Sequence, residues 1–144
     1  MGRSVIFQDL GKVSYEEAWQ YQQKLFDRAV EIKRYNRKHT EEGQKEQKHH
    51  LLFCEHPPVY TLGRSGKIDH LLLDEKGLAA EGIEFFKINR GGDITYHGPG
   101  QLVAYPIFDL DYFFTDVHRY VRTLEEVVIR SLADFGIAGK REKG

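Results

Sequence analysis

The sequence predicts an α+β domain in which helices pack against a mixed β-sheet. A long helical pattern near the N-terminus is followed by several short extended runs, and a second helical pattern comes near the end. With 144 residues, the chain is long enough for one domain with a substantial core. We therefore expect a single domain over residues 1–144, without an internal repeat or a domain boundary.

The first elements are predicted from a short apolar run and a capping pattern. Residues 5–7 (Val-Ile-Phe) indicate a strand, which Gly11 should end. Ser14 and Glu17 have the spacing of a capping box, and apolar residues recur at helical intervals behind them. We expect an amphipathic helix over residues 14–35 that lies on the sheet.

The region after this helix is almost entirely charged or amide-bearing. Residues 36–50 contain no aliphatic or aromatic hydrocarbon side chain, which predicts a mobile segment that is either a solvated loop or a helix end extended into water. His39, His49 and His50 lie on or near it. Because no cysteine or carboxylate stands at a usual ligand spacing, we interpret these histidines as exposed polar residues and not as metal ligands.

The middle of the chain predicts short strands separated by turns. Pro57 and Pro58 end the first of them because proline cannot donate a ladder hydrogen bond. The segment around residues 68–73 is a short helix or irregular. The predicted elements are strands at 51–54, 59–62 and 83–88, a short helix at 72–82 ending at Gly82, and a strand at 94–96.

The last third predicts one more strand and one more helix. Residues 102–110 are apolar, but Pro106 restricts them to an edge or bulged position. Thr115 or Asp116 can cap the following helix, and Gly136 should end it. The apolar side chains predicted to form its buried face are Val117, Val121, Leu124, Val128, Leu132 and Phe135.

Composition limits the function classes. Apolar residues make up 40% and charged residues 30%, with a net charge of −1, as in a globular protein without a nucleic-acid or anionic-membrane partner. No apolar run has the length of a signal peptide or a membrane span. Cys54 is the only cysteine, which excludes an internal disulfide and fits a reducing compartment. We expect a cytoplasmic protein.

The most informative stretch is residues 90–101, which read Arg-Gly-Gly-Asp-Ile-Thr-Tyr-His-Gly-Pro-Gly-Gln. Its glycines permit positive φ and a close approach of the backbone to a ligand. The β-branched and aromatic centre should stay extended, as a short strand between two glycine turns. Arg90, Thr95 and His97 would then face a ligand, so we interpret the segment as functional and not as a simple turn.

Two blocks carry a resemblance to a known family. Residues 90–101, continued by Leu-Val-Ala-Tyr-Pro-Ile, resemble the signature of the lipoyl(octanoyl) transferases. Upstream, residues 52–64 read Leu-Phe-Cys-Glu-His-Pro-Pro-Val-Tyr-Thr-Leu-Gly-Arg and are similar to the EHPPVYTLGR segment of that family. The resemblance covers the chain from about residue 7 onwards.

The resemblance implies the fold of the biotin and lipoate protein ligase catalytic domain. It also implies that octanoyl passes from octanoyl-acyl carrier protein, through a cysteine thioester, to a lysine of a lipoyl domain. The acceptors would be the lipoyl domains of 2-oxoacid dehydrogenases and the glycine cleavage H protein. Neither a cofactor nor a metal is implied, and neither nucleic acid nor a membrane is an expected partner.

The resemblance also assigns residues. Family members continue past this chain into strands that carry the acyl-accepting cysteine and its lysine, so both are expected beyond Gly144. We therefore expect an incomplete domain, truncated at the C-terminus, that contains no catalytic residue and is inactive alone. The substrate-binding segment by resemblance comprises Arg90, Gly91, Gly92, Asp93, Ile94, Thr95, Tyr96 and His97.

The residues themselves leave alternatives open. Arg90 can bind a carboxylate or phosphate, brace a loop carboxylate such as Asp93, or form a surface salt bridge. His97 can orient a thioester carbonyl and move a proton, or be a structural histidine. Thr95 and the amides of the paired glycines can contact an acyl carbonyl in the manner of an oxyanion hole. Cys54 lies in an apolar run that raises a thiol pKa, which predicts a buried structural residue.

Other functions remain open on the same residues. An ATP-dependent ligase of the lipoate or biotin type shares the implied fold, and dependence on ATP would identify it. A non-catalytic module that grips acyl carrier protein or a lipoyl domain is the other alternative. Arg64 and Lys67 can meet an acidic carrier protein or simply form a solvated turn, and His56 can fix the turn before the two prolines.

Overall fold

A computed structural model describes residues 4–142 of the chain. It contains two compact units, one ending at Phe108 and the other beginning at Asp109. The prediction of a single domain stays a prediction. The elements of the first unit are β1 (Val5–Lys12), α1 (Tyr15–Asn36), β2 (His49–Glu55), β3 (Val59–Leu62), α2 (Glu75–Ala80), β4 (Glu84–Lys87), β5 (Ile94–His97) and β6 (Val103–Ile107), and the second unit contains α3 (Val117–Asp134).

The strands form two mixed sheets of three strands each. In the first, with order β1-β2-β6, β1 is parallel to β2 and β6 is antiparallel to it. In the second, with order β4-β3-β5, β4 is parallel to β3 and β5 is antiparallel to it. The predicted class of mixed sheet and helices is confirmed, although the strands divide between two sheets.

Helix α1 begins with the predicted capping box. The hydroxyl of Ser14 accepts from the backbone N–H of Glu17 at 3.3 Å and donates to its carboxylate at 2.7 Å. Ala18 is buried on the helix, and the hydroxyl of Tyr21 donates to the side-chain oxygen of Gln8 on β1 at 3.0 Å. The helix therefore lies against the first sheet, as predicted.

The connection after α1 is largely exposed, as predicted, but buried polar side chains anchor it at both ends. Its predicted mobility stays a prediction. The amide of Asn36 is buried and pairs with the main chain of Lys45 in both directions, each bond being 2.8 Å long. The ring of Tyr35 stacks on His39 at 3.8 Å, and the ammonium of Lys45 lies 4.2 Å from its centroid. These contacts hold the segment in place although it has few apolar side chains, and such contacts cannot be inferred from composition.

The prediction that the neighbouring histidines are exposed is confirmed for His39 but wrong for His49. His49 and His50 belong to β2, and His49 is fully buried. Burial lowers the pKa of His50, with Lys48, His49 and Arg28 acting in the same direction. His49 is therefore enclosed in the sheet region, whereas His50, on the opposite face of the strand, is half-buried.

The predicted end of β1 is wrong as well. The strand continues through Gly11 to Lys12, with a shift of register between Asp9 and Lys12. Gly11 adopts φ of +61° at this irregularity, and its N–H donates to the carboxylate of Asp9 at 2.9 Å. The glycine therefore makes a bulge in the strand and does not end it.

Two further predictions concern strand edges and helix ends. Pro106 lies in β6, an outer strand of the first sheet, which confirms its predicted edge position. The predicted helix at 72–82 is shorter: α2 is capped by the carboxylate of Asp74, which accepts from Gly77 N–H at 2.8 Å, and ends before Gly82. Gly82 follows with φ of +68°.

The second unit contains a 3₁₀ turn, Leu110–Tyr112, and helix α3. Asp116 caps α3 by accepting from Arg119 N–H at 3.0 Å, and Gly136 follows its end with φ of +73°. The prediction of a buried apolar face is wrong, since Val117 is 63% and Phe135 is 83% exposed. Within residues 109–142, no second helix or strand is present to cover it.

Candidate functional site

Arg90 clamps the centre of the second sheet. Its Nη2 donates to Thr95 Oγ1 at 2.6 Å and to both Oγ1 and the carbonyl oxygen of Thr61 at 3.1 Å. Nη1 donates to the carbonyl of Gly91 at 2.9 Å. Thr61 and Thr95 stand opposite each other on β3 and β5. The guanidinium therefore binds groups within the protein. Of the predicted alternatives for Arg90, only the bracing of a neighbouring segment agrees with this, and the acceptors are threonine hydroxyls and carbonyls, not the Asp93 carboxylate.

This clamp orients the hydroxyl of Thr95. Because a guanidinium has no acceptor, the hydroxyl oxygen must accept from it, and the hydroxyl hydrogen is then available to a ligand. The side chain is half-buried, so a ligand can reach it. Thr95 therefore presents a directed donor at the middle of β5.

The glycine-rich turn is tied to the end of β3 by backbone bonds. Gly63 N–H donates to the carbonyl of Asp93 at 3.1 Å, and Arg64 N–H donates to the carbonyl of Arg90 at 2.9 Å. A Cβ on Gly63 would collide with the carbonyl oxygen of Gly92. Gly92 itself adopts φ of +85°. The close approach needs glycine at both positions.

Asp93 holds a second turn against the glycine-rich segment. Its carboxylate accepts from Nδ1 of His70 and from the backbone N–H of Lys67, the latter at 3.3 Å. Desolvation acts to raise the pKa of Asp93, but the bond from His70 and backbone bonds from Ile94 and Lys67 together lower it. Asp93 therefore stays ionised and anchors the turn of residues 64–70.

A ring cluster covers the same face of β3 and β5. The ring of Tyr15 lies 5.1 Å from Phe86, the residue opposite Thr61 on β4, and 5.5 Å from His56. The ring of His56 is in turn 6.1 Å from that of His97. Burial raises the pKa of Tyr15, while the charge of Arg90 lowers it. Arg90 and the histidines thus belong to one site.

His56 is fixed by hydrogen bonds at both ring nitrogens. Nδ1 donates to the carbonyl of Val13 at 2.8 Å, which leaves Nε2 to accept from the hydroxyl of Tyr105 at 2.8 Å. The ring is 1% exposed. It is therefore a packing residue, as predicted, and it supports the neighbouring His97.

His97 is the last residue of β5 and stays half-buried. Its Nδ1 donates to the side-chain oxygen of Gln101 at 2.6 Å, so Nε2 is the unprotonated nitrogen of the neutral ring. No residue other than glycine has positive φ in the described part of the chain, so His97 is not strained. It can accept a proton from a ligand or return one to it.

Burial suppresses the acidity of two groups in this site. It raises the pKa of Tyr105 strongly, and the neighbouring Cys54 and Tyr15 act in the same direction, against a hydrogen bond with Gln22. Burial also raises the pKa of the Cys54 thiol, with a further contribution from Asp9. Cys54 is 1% exposed and lies 3.5 Å from His56 Nε2. The predicted burial of Cys54 is confirmed, while its structural role stays a prediction.

A separate open cleft of about 550 Å³ lies at the carboxyl ends of β3 and β4. Its lining includes the apolar Leu62, Ile68 and Ile88 and the polar Arg64, Lys87 and Asn89. Because side chains alternate along a strand, Leu62 lies on the face opposite Thr61. The cleft is therefore distinct from the site around Arg90.

The remaining predicted residues have different surroundings. Gly91 and Gly92 are exposed, and Ile94 is half-buried opposite Leu62. Tyr96 is 43% exposed, and its ring lies 5.1 Å from that of Tyr60. It therefore lies on the face opposite Thr95 and His97, which divides the predicted segment between two sides of the sheet.

Comparison with known proteins decides the family. The family model described as the lipoyl protein ligase A/B catalytic domain matches residues 14–143. This chain belongs to that family. Across residues 4–142, no helix is long and apolar enough to cross a membrane.

The similar members of the lipoyl protein ligase A/B family include two flavobacterial proteins named octanoyltransferase. The protein from Flavobacterium psychrophilum is 54% identical and that from Flavobacterium johnsoniae 53% identical over 144 residues. Each match covers 100% of this chain and 61% of the relative. The chain therefore spans less than two thirds of the length of these relatives.

Solved structures support the fold assignment. A protein from T. acidophilum, described as a candidate lipoate protein ligase and solved with bound lipoic acid, matches with a TM-score of 0.59 and 19% identity. A lipoate-protein ligase A bound with ATP matches with a TM-score of 0.56. The matches cover 100% and 99% of this chain and 52% of each of those chains. The fold implied by the sequence resemblance is thus confirmed.

Several residues of the candidate site around Arg90 were not predicted. Thr61 was treated only as part of a strand, although its position opposite Thr95 could be inferred once β3 and β5 are paired. His70 and Tyr105 gave no sequence signal, because their partners Asp93 and His56 are distant in the chain. Gln101 was part of the signature, but its contact with His97 was not predicted.

Proposed function

We propose that this chain provides the substrate-binding part of an octanoyltransferase of lipoate biosynthesis. The observation that carries the proposal is its 54% identity, over all 144 residues, to a protein named octanoyltransferase. The directed hydroxyl of Thr95 and the half-buried His97 support it, because acyl transfer needs a donor for the acyl oxygen and a group that moves a proton.

In the proposed reaction, a cysteine thiolate attacks the thioester carbonyl of octanoyl-acyl carrier protein and releases the carrier thiol. The amino group of a lipoyl-domain lysine then attacks the new thioester, which forms an amide and returns the cysteine. The acceptors are lipoyl domains of 2-oxoacid dehydrogenases and the glycine cleavage H protein, and the location is the cytoplasm. The resemblance supports a cysteine and lysine beyond Gly144 for these steps.

The predicted substrate segment takes two kinds of role in this proposal. The Thr95 hydroxyl and the N–H groups of Gly91 and Gly92 face the acyl carbonyl, and His97 Nε2 exchanges the proton. Arg90 and Asp93 act through other residues, by fixing Thr95 and the adjacent turn. Ile94 and Tyr96 complete the strand from its opposite face.

A chimera tests this function. Residues 1–144 would replace the matched region of the Flavobacterium psychrophilum octanoyltransferase, and the product would be incubated with octanoyl-acyl carrier protein and a lipoyl domain. We expect a lipoyl domain that gains the mass of one octanoyl group, without ATP. The 144-residue chain alone is the second arm, in which we expect no transfer.

The other outcomes identify the alternatives. Transfer from free octanoate that needs ATP would point to a ligase. A stable complex with either protein and no transfer would point to a binding module. As a control, the unaltered relative must transfer octanoyl under the same conditions, so that a silent chimera counts against the proposal.

A further inference from the structure

The cleft at the carboxyl ends of β3 and β4 is not used by the site around Arg90. Its lining includes none of Thr61, Arg90 and Thr95, and it lies where β3 and β4 end. The glycine-rich turn connects the cleft to the site around Arg90. The carbonyls of Asp93 and Arg90 accept from the N–H groups of Gly63 and Arg64, respectively. A molecule held in the cleft would therefore lie beside the proposed substrate segment.

The charged residues that line the cleft are basic, although the carboxylate of Asp93 lies close to the lining residue Gly66. Arg64 and Lys87 contribute to its lining, and no aspartate or glutamate is among the lining residues that the structure describes. Within residues 4–142, neither side chain forms an ion pair. Arg90, by contrast, is engaged with Thr61, Thr95 and Gly91. The cations available to an anionic partner are thus Arg64 and Lys87.

The cleft also offers apolar surface. Ile68 is 48% exposed, and Leu62 and Ile88 contribute to the same lining. A Cβ on Gly66 would collide with the side chain of Leu62, so the absence of a side chain there leaves the apolar floor close to the turn. The partner should therefore combine an apolar group with negative charge.

The wall of the cleft is held in place. Asp93 binds the N–H of Lys67 and the ring of His70, which flank Ile68 on both sides. The polar residues at the mouth, Arg64, Lys87 and Asn89, are all exposed. Pockets for small ligands usually enclose most of the ligand, whereas an open cleft with a fixed wall suits a side chain presented by another protein.

We propose that this cleft docks an acidic segment of a protein partner, which inserts an apolar side chain beside Ile68 and places carboxylates against Arg64 and Lys87. This inference rests on the proposed function, under which the partner is the acyl carrier protein that donates octanoyl. The opposite charges and the apolar side chain together determine where the acyl carrier protein binds next to the glycine-rich turn.

The test measures binding of the 144-residue chain to fluorescently labelled acyl carrier protein by anisotropy at low salt. Arg64→Glu and Lys87→Glu should each weaken binding about tenfold, and the loss should shrink as salt is raised. Ile68→Ala should weaken binding about fivefold, with the salt dependence of the unaltered chain. A lipoyl domain serves as the second probe and should bind without sensitivity to these changes.

Matched controls come from the exposed face of α1. Arg34→Glu and Lys24→Glu change the net charge equally and should alter the affinity less than about twofold. Circular dichroism and unfolding midpoints must match for all variants. The proposal is overturned if the unaltered chain does not bind acyl carrier protein. It is also overturned if Arg64→Glu and Lys87→Glu reduce the affinity no more than the control variants do, or if they weaken binding of the lipoyl domain instead.

Failure of this proposal and failure of the proposed function are separable. If the chimera transfers octanoyl while the cleft reversals leave carrier binding unchanged, docking at the cleft is excluded and the function stands. If the chimera transfers nothing, the function fails, and the binding series alone decides whether an acidic protein docks at the cleft.

Discussion

Arg90 Nη2 lies 2.6 Å from Thr95 Oγ1, which joins the first residue of the glycine-rich segment to the strand that follows it. The same nitrogen reaches Thr61 on the neighbouring strand. One planar, permanently charged group therefore holds three parts of the chain in a single arrangement, which an ammonium group cannot reproduce.

The first prediction follows from this clamp. Arg90→Lys and Arg90→Ala should each lower the free energy of unfolding by about 1.5–3 kcal/mol, because hydroxyl and carbonyl acceptors lose a charged donor. Urea unfolding followed by circular dichroism measures the change. Arg34→Lys, on an exposed position of α1, should change it by less than about 0.5 kcal/mol. Equal stability of the Arg90 variants and the parent would show that the clamp is not formed in solution.

The second prediction concerns the close approach at Gly63. Gly63→Ala should lower the free energy of unfolding by about 1–3 kcal/mol, because the new methyl group would overlap the carbonyl of Gly92. Gly91→Ala is the matched control, since a Cβ there meets nothing within 4 Å. Thermal unfolding of the two variants provides the measurement. A Gly63 variant as stable as the Gly91 variant would contradict the close contact between Gly63 and the carbonyl of Gly92.

The third prediction is a pH dependence. Because the folded protein lowers the pKa of Asp93, the carboxylate contributes stability at pH values above its ordinary pKa. That contribution should be lost as the pH falls through the lowered value. Asp93→Asn should therefore be less stable than the parent near neutral pH, and the difference should disappear in acid.

Urea unfolding at a series of pH values measures this difference. Glu75→Gln is the control, because Glu75 is exposed on α2 and its side chain forms no hydrogen bond or ion pair within residues 4–142. Its difference from the parent should not follow the same course. A difference for Asp93→Asn that grows in acid would mean that the sign of the shift is opposite.

The fourth prediction concerns the thiol. Because Cys54 is 1% exposed and burial raises its pKa, it should react with iodoacetamide far more slowly in the folded chain than in urea. Intact-mass spectra give both rates. After incubation with octanoyl-acyl carrier protein, we expect no adduct that hydroxylamine removes. Such an adduct would have to be on Cys54, the only cysteine, and would make it an acyl acceptor.

The fifth prediction tests the support of His56. Tyr105→Phe removes the hydroxyl that donates to His56 Nε2 and should lower the free energy of unfolding by about 1–2 kcal/mol. Tyr60→Phe is the comparison, since the described residues include no hydrogen-bond partner for the Tyr60 hydroxyl. Similar losses for both would mean that the hydrogen bond from Tyr105 does not help to hold His56.

Local patterns were sufficient for the elements whose signals are short-range. The capping box at Ser14, the edge position of Pro106 and the bounds of β3 were predicted because each depends on neighbouring residues. The bulge at Gly11 was not predicted, because whether a glycine ends or kinks a strand depends on the partner strand. The exposed face of α3 likewise depends on what packs against it.

The candidate site shows the same limit. Composition and glycine density singled out residues 90–101, but not the partners of their side chains. Arg90 and Asp93 had been considered as a pair, and each instead binds a residue from another turn or strand. Strand register decides which of two plausible partners a side chain meets. A single sequence does not specify the register between strands that are far apart in the chain.

Pro106 has a consequence for how molecules of this protein meet. It is the fourth of the five residues of β6, opposite Leu51, and has no N–H to offer on the open side of that strand. A β-strand from another molecule that approached there would find a gap in the row of donors. The proline therefore discourages edge-to-edge association along β6, whereas β1, at the other end of the same sheet, is interrupted by the bulge at Gly11.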